Sequence, residues 1–408
     1  MRKAVLYGAL GVALWPSGVA AQSLMLTEAD ALARLSTTSP RVRAIRAATD
    51  IARVDILTAG RWPNPRLTVD RESVGGVTEY ITVVAQPLPI TGRRTFEVQA
   101  ASALVSASTS RADDEVRRLR ADMRVAFAQL TAAQAREREL ADARDRLQSL
   151  ADILARREME GDAAGFDRLR AERETLDVET DLVIAATERA RAQATLAGFF
   201  ADAADPSQLV AVAGPRVPAE VPRLEALLEQ AESVRGDLRA FQFESDAAGF
   251  AARAAERRWL PEPEVVAGTK STTFAAGDVG SVFMVHAAIP LFDRARPERA
   301  LAAARASQAE AQAEAFRAVL RGEVNALRTA VLQRRDAADR YRAEAVNSAA
   351  QIERIALVSY DAGEHSILEL LDAYRIGMSA RVRQATLDLA VRQAEIELEF
   401  ATGWEMPL

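Results

Sequence analysis

From Thr95 to Glu158 the chain runs for 64 residues without a proline or a glycine. Leu119, Met123, Phe127 and Leu130, then Leu140, Leu147 and Leu154, mark one apolar stripe through this run at steps of three, four and seven. That spacing keeps one face of a helix against a partner. A helix of this length measures about 95 Å. It exceeds the width of a compact core, so it must lie along other rods. A second rod, from about Glu298 to Tyr360 within residues 296–360, follows the same rule through Phe316, Leu320, Val324, Leu327 and Val331.

The two rods belong to a duplicated unit. Trp62-Pro63-Asn64-Pro65, Gln86-Pro87-Leu88-Pro89 and Gly161 recur as Trp259-Leu260-Pro261-Glu262-Pro263, Ile289-Pro290-Leu291-Phe292 and Gly363, each about 200 residues later. A period that long marks duplication of a whole unit, since solenoid repeats run at roughly 20 to 50 residues. The expected division is a leader at 1–21, a first repeat at 22–200, a linker at 201–222 carrying Pro206, Pro215, Pro218 and Pro222, and a second repeat at 223–408. In the first repeat a pair of modest helices fills Leu26 to Gly60, opened by Thr27 with Asp30 three residues on, a capping pattern.

Each repeat then offers a hairpin. The prolines after Trp62 bias their predecessors toward extended backbone. Leu67 and Val69 alternate with Thr68 and Asp70, Ser73 to Gly76 supplies a turn, and Thr78 to Gln86 is rich in β-branched and aromatic residues. Strands are expected at about 66–86 and again at about 264–289, with the second turn at Ala275-Ala276-Gly277-Asp278. Arms of about 10 residues cross a bilayer as tilted strands. The lipid-facing side stays open: Phe283, Val285, Ala287 and Ile289 form an apolar row, but the aligned positions are Tyr80, Thr82, Val84 and Gln86. Each rod turns near its glycine into another helix, expected at 162–200 and 366–401.

Arg2 and Lys3, an apolar run from Ala4 to Leu14 and small residues ending at Ala21 read as a secretory leader. Beyond it no run of about 18 apolar residues appears, so any membrane insertion must use strands. Cysteine is absent, which removes disulfides and a lipidated anchor. The formal charge is -6, near -8 once Arg2 and Lys3 leave, and implies no nucleic-acid surface. Lysine occurs only at Lys3 and Lys270; the arginines alternate with carboxylates along the chain, which reads as base composition and not as phosphate recognition. The histidines, His286 and His365, lie in different elements, and no phosphate loop or nucleophile elbow is present. Neither a cofactor nor a metal site nor an enzyme is expected.

Four strands do not close a barrel, and hydrocarbon does not tolerate open strand edges. Copies of the same chain must therefore complete the wall. Three copies supply about twelve strands, the smallest set expected to hold an open lumen.

The leader, the paired hairpin-and-rod units, Gln86-Pro87-Leu88-Pro89-Ile90-Thr91-Gly92-Arg93-Arg94, Ile289-Pro290-Leu291-Phe292-Asp293-Arg294 and the stretch Tyr360 to Ala373 resemble the TolC family of outer-membrane efflux proteins. Compact length and Gly92-Arg93-Arg94 look most like the CzcC-type subunits of heavy-metal efflux systems. The resemblance implies a mainly α fold with a small β part: a long coiled-coil α-helical barrel under a trimeric transmembrane β-barrel, four strands per chain. It also implies a homotrimer in the outer membrane and periplasm, in contact with outer-membrane lipid. The partners would be a periplasmic adaptor (membrane fusion) protein and a proton-driven inner-membrane pump of the RND type, with heavy-metal cations as one substrate class.

By motif the resemblance carries over a pore aperture of Asp167, Glu369 and Asp372, and a tip latch of Gly161, Phe166, Tyr360, Gly363 and His365. Three copies would present carboxylate rings favouring cations. The alternative is that these acids serve the first turns of their helices. His365 stands where the family's namesake has an arginine, and Phe166 where it has a threonine; Tyr360 is retained. A rival class is a periplasmic coiled-coil adaptor or scaffold, which would need a lipoyl-like or barrel domain between its rods and would lack membrane-length hairpins. A secreted enzyme is the third class, opposed by the missing catalytic constellation.

Overall fold

Alanine decides how closely the rods approach. Helix α3, Arg93–Glu160, is 68 residues long, about 100 Å at the α-helical rise. In its upper part Ala101, Ala103, Ala107, Ala112 and Ala121 are its buried apolar residues; below them Met123, Phe127, Leu130, Leu147 and Leu154 take over. The computed structural model describes residues 24–35, 39–160, 165–200, 205–214, 219–273, 278–289, 291–292 and 294–405. The expected leader and Gly161 lie outside these residues, as do part of the expected linker and residues 274–277 of the expected second turn.

Before α3 come β1 (Leu24–Leu26), α1 (Glu28–Arg34), α2 (Pro40–Gly60), β2 (Arg66–Val74) and β3 (Val77–Pro87). Thr27 caps α1 as its sequence announces: Thr27 Oγ1 accepts from Asp30 N at 3.2 Å, and Asp30 Oδ2 accepts from Thr27 N at 3.1 Å. After α3 come α4 (Gly165–Ala197), β4 (Leu209–Ala211), α5 (Leu224–Val234), α6 (Gly236–Arg257), β5 (Pro263–Thr272), β6 (Val279–Ala287), α7 (Arg296–Tyr341), α8 (Asn347–Asp361) and α9 (Ile367–Thr402).

Two elements depart from the sequence reading. The linker at 201–222 is not simply extended: β4 pairs in parallel with β1, Leu24 opposite Leu209 and Leu26 opposite Ala211. Gln193 Nε2 donates to the Leu209 carbonyl at 2.8 Å, and Gln134 Oε1 accepts from Ala211 N at 2.9 Å, so the strand is held to α3 and α4. The second rod is also not one α-helix, because a wide π turn at Arg342–Val346 separates α7 from α8. Helices α5 and α6, to which the sequence pattern assigns nothing, fill 224–257. Gly236 lets α6 meet the α3 backbone, since a Cβ there would strike the Ser110 carbonyl. Asp114 Oδ1 accepts from Gly236 N at 3.1 Å and so caps α6 from the neighbouring rod.

Strands β2, β3, β5 and β6 form one antiparallel sheet in that order, which leaves β2 and β6 as its edges. The first hairpin turns on Gly75 and Gly76, both at positive φ (58° and 82°), the geometry of a two-residue hairpin turn. Gly268 in β5 lies so close to Thr82 and Val83 of β3 that no Cβ fits. The helical packing divides into three regions. One surrounds Met123, Phe127 and Leu196, another Leu227, Leu320 and Leu398, and the third, nearest the tip, Leu147, Leu154, Val178 and Leu370.

Candidate functional site

The register settles which residues share a face of the sheet. Leu67, Val84, Ala267 and Phe283 stand in one row across the four strands, and Gln86, Val265 and Val285 in the next. On this face Leu67 and Phe283 are 68% and 72% exposed. The opposite face buries Val83, Ala85 and Val266 against Ile81 and Val282. It also carries most of the sheet's charges: Arg66 pairs with Glu264, Lys270 Nζ lies 2.6 Å from Glu79, and His286 Nδ1 is 3.9 Å from Glu264, whereas Arg71 stands on the first face over the Tyr80 ring. One face is thus open, with an apolar patch around Leu67, Val69, Val84, Phe283 and Val285, and the other holds most of the charges, the asymmetry of a wall between hydrocarbon and water. The aligned rows Tyr80, Thr82, Val84, Gln86 and Phe283, Val285, Ala287 fall on the same face of the sheet.

At the far end of the rods, Gly363 sits at φ 74° and turns α8 into α9. Glu364 N and His365 N both donate to the Ser359 carbonyl, closing the turn. Glu369 is already engaged there: Ser366 N donates to Glu369 Oε2 at 2.8 Å and the Ser366 hydroxyl bonds the same oxygen, so Glu369 completes a capping box for α9. These hydrogen bonds from Ser366 hold its carboxyl below the ordinary range. His365 Nδ1 stands 3.9 Å from Glu369 Oε1. Asp372, one turn further, is exposed. In the first repeat Asp167 lies in the first turn of α4, partly covered, and Phe166 beside it is 67% exposed with Arg170 stacked on its ring. Tyr360 packs against the tip core and takes Arg157 over its ring. Gly161 lies outside the described residues.

Sequence reasoning missed the ion pairs across the seam between the α3/α4 and α8/α9 coils. Arg375 of α9 grips Glu174 of α4 with two bonds at 3.0 and 2.6 Å. Arg381 of α9 reaches Glu139 of α3 at 2.8 Å and Glu353 of α8 at 3.1 Å, and Arg146 of α3 touches Glu353 at 3.4 Å. Gly377 makes room, because a Cβ there would fall on the Glu353 carboxylate. A glycine inside a long helix is the sequence signal of this contact.

Among the described residues no group of three or more histidines or carboxylates is arranged to hold a metal ion. Among them, too, no helix is long and apolar enough to cross a membrane, which leaves the sheet as the element to consider.

Residues 227–404 match the family described as outer membrane efflux protein, a family of transport conduits and not of enzymes. Among solved structures, a membrane protein from Pseudomonas aeruginosa superposes with a TM-score of 0.75 at 19% identity, covering 92% of this chain and 93% of that one. The outer membrane protein VceC from Vibrio cholerae gives 0.74 at 16% identity, covering 92% and 96%. The MtrE outer membrane channel of Neisseria gonorrhoeae, in its open state, gives 0.74 at 17% identity, covering 92% and 88%. The chain has the fold of these outer-membrane channels. No curated protein sequence matches it. The family match covers residues 227–404, whereas the structural likeness covers 92% of the chain and so extends to residues outside the family match.

Proposed function

We propose that three copies of the chain join their sheets into a barrel of about twelve strands that crosses the outer membrane, while the rods continue into the periplasm as an α-helical tube. The conduit makes and breaks no bonds. It takes substrate from an inner-membrane pump of the RND type through a periplasmic adaptor, and heavy-metal cations are the substrate class favoured by its resemblance to CzcC-type subunits. One observation carries this reading: a sheet with an exposed apolar patch on one face, most of its charges on the other and two free edges stands at the end of rods about 100 Å long. Free edges in hydrocarbon demand partners, and the self-complementary partner is the same sheet. A periplasmic adaptor or scaffold would have no use for an apolar sheet face of membrane height. The aperture acids divide in role: Asp372 is free to face a lumen, and Glu369 does so only while capping its helix.

The test is fractionation followed by reconstitution. The mature protein is expected in the outer-membrane fraction, as a trimer in detergent, and to conduct ions in planar bilayers. A soluble monomer without conductance overturns the proposal.

A further inference from the structure

The base of the sheet gathers charges that the sequence scatters. The strand ends meet there, Arg66 opening β2, Pro87 closing β3 opposite Glu264, and Pro263 opening β5 opposite Ala287, which closes β6. Cross-repeat contacts tie the adjoining segments into one collar. Leu88 N donates to the Pro263 carbonyl at 2.8 Å, Thr91 Oγ1 bonds Glu262 at 2.9 Å, and Arg257 Nη1 donates to the Thr91 carbonyl at 3.4 Å. Stretches 61–66, 93–97, 253–264 and 293–299 hold ten arginines against six carboxylates, an excess of four positive charges in a chain whose formal charge is -6.

The carboxylates are largely spent inside the collar. Glu264 pairs with Arg66, Glu262 and Glu97 share Arg93 at 3.1 and 3.2 Å, and Glu298 holds Arg258 at 2.7 Å. Arg61, Arg294 and Arg296 are exposed, and no described carboxylate lies within ion-pair distance of them. Arg94 and Arg257 stack on Trp62 and Phe96 at 5.5 and 5.7 Å. Trp62 and Trp259 are 54% and 51% exposed, and Ile289, Leu291 and Phe292, just past the end of β6, are exposed as well. From the sheet toward the rods the surface therefore passes from apolar strand face to indole and phenyl rings to guanidinium groups that no described carboxylate pairs. This is the order of hydrocarbon, interface and phosphate in a lipid leaflet.

We propose that this collar binds the head groups of anionic phospholipids in the leaflet on the rod side of the sheet. The planar guanidinium fork matches two phosphodiester oxygens, and the tryptophans fix the collar's depth. The inference rests on the membrane-spanning reading of the sheet and adds a ligand to it.

The experiment uses the mature chain carrying Trp404→Phe, which leaves Trp62 and Trp259 as its tryptophans once the leader is removed. It is placed in nanodiscs of equal phosphatidylglycerol and phosphatidylcholine with matched chains, and the lipids retained on release are counted by native mass spectrometry. Phosphatidylglycerol should be enriched, and the enrichment should fall by about fivefold for each group removed in Arg61→Gln, Arg294→Gln and Arg296→Gln. Equal retention of the two lipids, or enrichment unchanged in the triple variant, overturns the proposal. Loss of the trimer in that variant with retention per chain unchanged also overturns it, and makes the collar a contact between copies. Brominated acyl chains in the same discs should quench the tryptophan emission. Unquenched tryptophans would sink the membrane reading itself, whereas quenching without lipid preference would sink only the head-group proposal.

Discussion

Glu399 is buried in α9 among groups from three helices: Arg124 of α3 binds both it and Glu28 of α1, and Arg392 reaches Glu28 at 2.6 Å and Glu399 at 3.7 Å. Burial pushes the Glu399 carboxyl above its ordinary value near 4.5, with Arg124 and Arg392 opposing that shift. Removing one member of such a pair strands the other charge, at a cost of about 3–5 kcal/mol, whereas replacing both by apolar groups restores packing. Arg124→Met should therefore lower the thermal unfolding midpoint sharply, and Arg124→Met with Glu399→Met should recover most of the loss. Because the folded-state value is raised, the Glu399 contribution is full below about 4.5 and declines as pH rises through the raised value. Asp30 and Glu369, lowered by their capping bonds, act in the opposite sense and lose their contribution as pH falls. Glu399→Gln should accordingly flatten the decline toward neutral pH while leaving the acid limb unchanged. At the tip, Asp372→Asn should reduce cation preference in bilayer reversal potentials without moving the unfolding midpoint, since Asp372 is exposed. An unchanged reversal potential would remove it from the aperture. Of these residues the sequence pattern singles out Asp30 as a cap and Glu369 and Asp372 as aperture acids or first-turn acids, but not the capping box that Glu369 completes. Ser366 followed by Glu369 is a capping-box pattern as plain as Thr27 with Asp30, and the pore reading of the same acid overshadows it.

Elements with a strong period are legible in the sequence and those without one are not. Rods and hairpins declare themselves through proline and glycine avoidance and through alternation, because their faces are buried over many turns or pairs. Strands β1 and β4 have three residues each, too few to show a period of two, and their pairing joins positions about 185 residues apart. The π turn is hidden for a different reason. Buried positions of α7 run Leu320, Val324, Val331 and Ala338, then Ala349 and Ala356 in α8. The step from Ala338 to Ala349 is 11 residues; the wide turn absorbs one, and the remaining ten continue the seven-plus-three rhythm. A stripe that keeps its phase conceals the interruption. Deleting Ala343 should convert the turn to α-helix and leave the stripe in register, whereas deleting Ala356 rotates the end of α8 by about 100°. The first deletion should keep the trimer and its unfolding midpoint, and the second should abolish both. Loss of the trimer on deleting Ala343 would show that the π geometry itself is required.

At the scale of the whole molecule, assembly turns on the two sheet edges. Strands β2 and β6 run antiparallel to each other across four strands, so β6 of one copy can add to β2 of the next in the same antiparallel sense. A ring of identical joints closes or continues as a filament according to the rotation per joint. The absence of cysteine makes this directly measurable. Single cysteines introduced on one face, at Leu67, Val69 or Arg71 in β2 and Ser281, Phe283 or Val285 in β6, place thiols opposite each other in the five same-face registers these positions sample, all near full overlap of the two strands. For the pair in register, oxidation should give dimers and then trimers in denaturing gels, with the trimer migrating as a closed ring that a single reductive cut linearises. Neighbouring pairs should link more slowly, since a shift of two residues along a strand separates the thiols by about 7 Å. Bands beyond the trimer would mean an open assembly. Failure of all nine pairings would exclude a joint near full strand overlap, and failure again with the β6 cysteine moved along to Val279 and Ala287 would mean that the edges are covered by something other than the same sheet, so that the barrel would have to be abandoned.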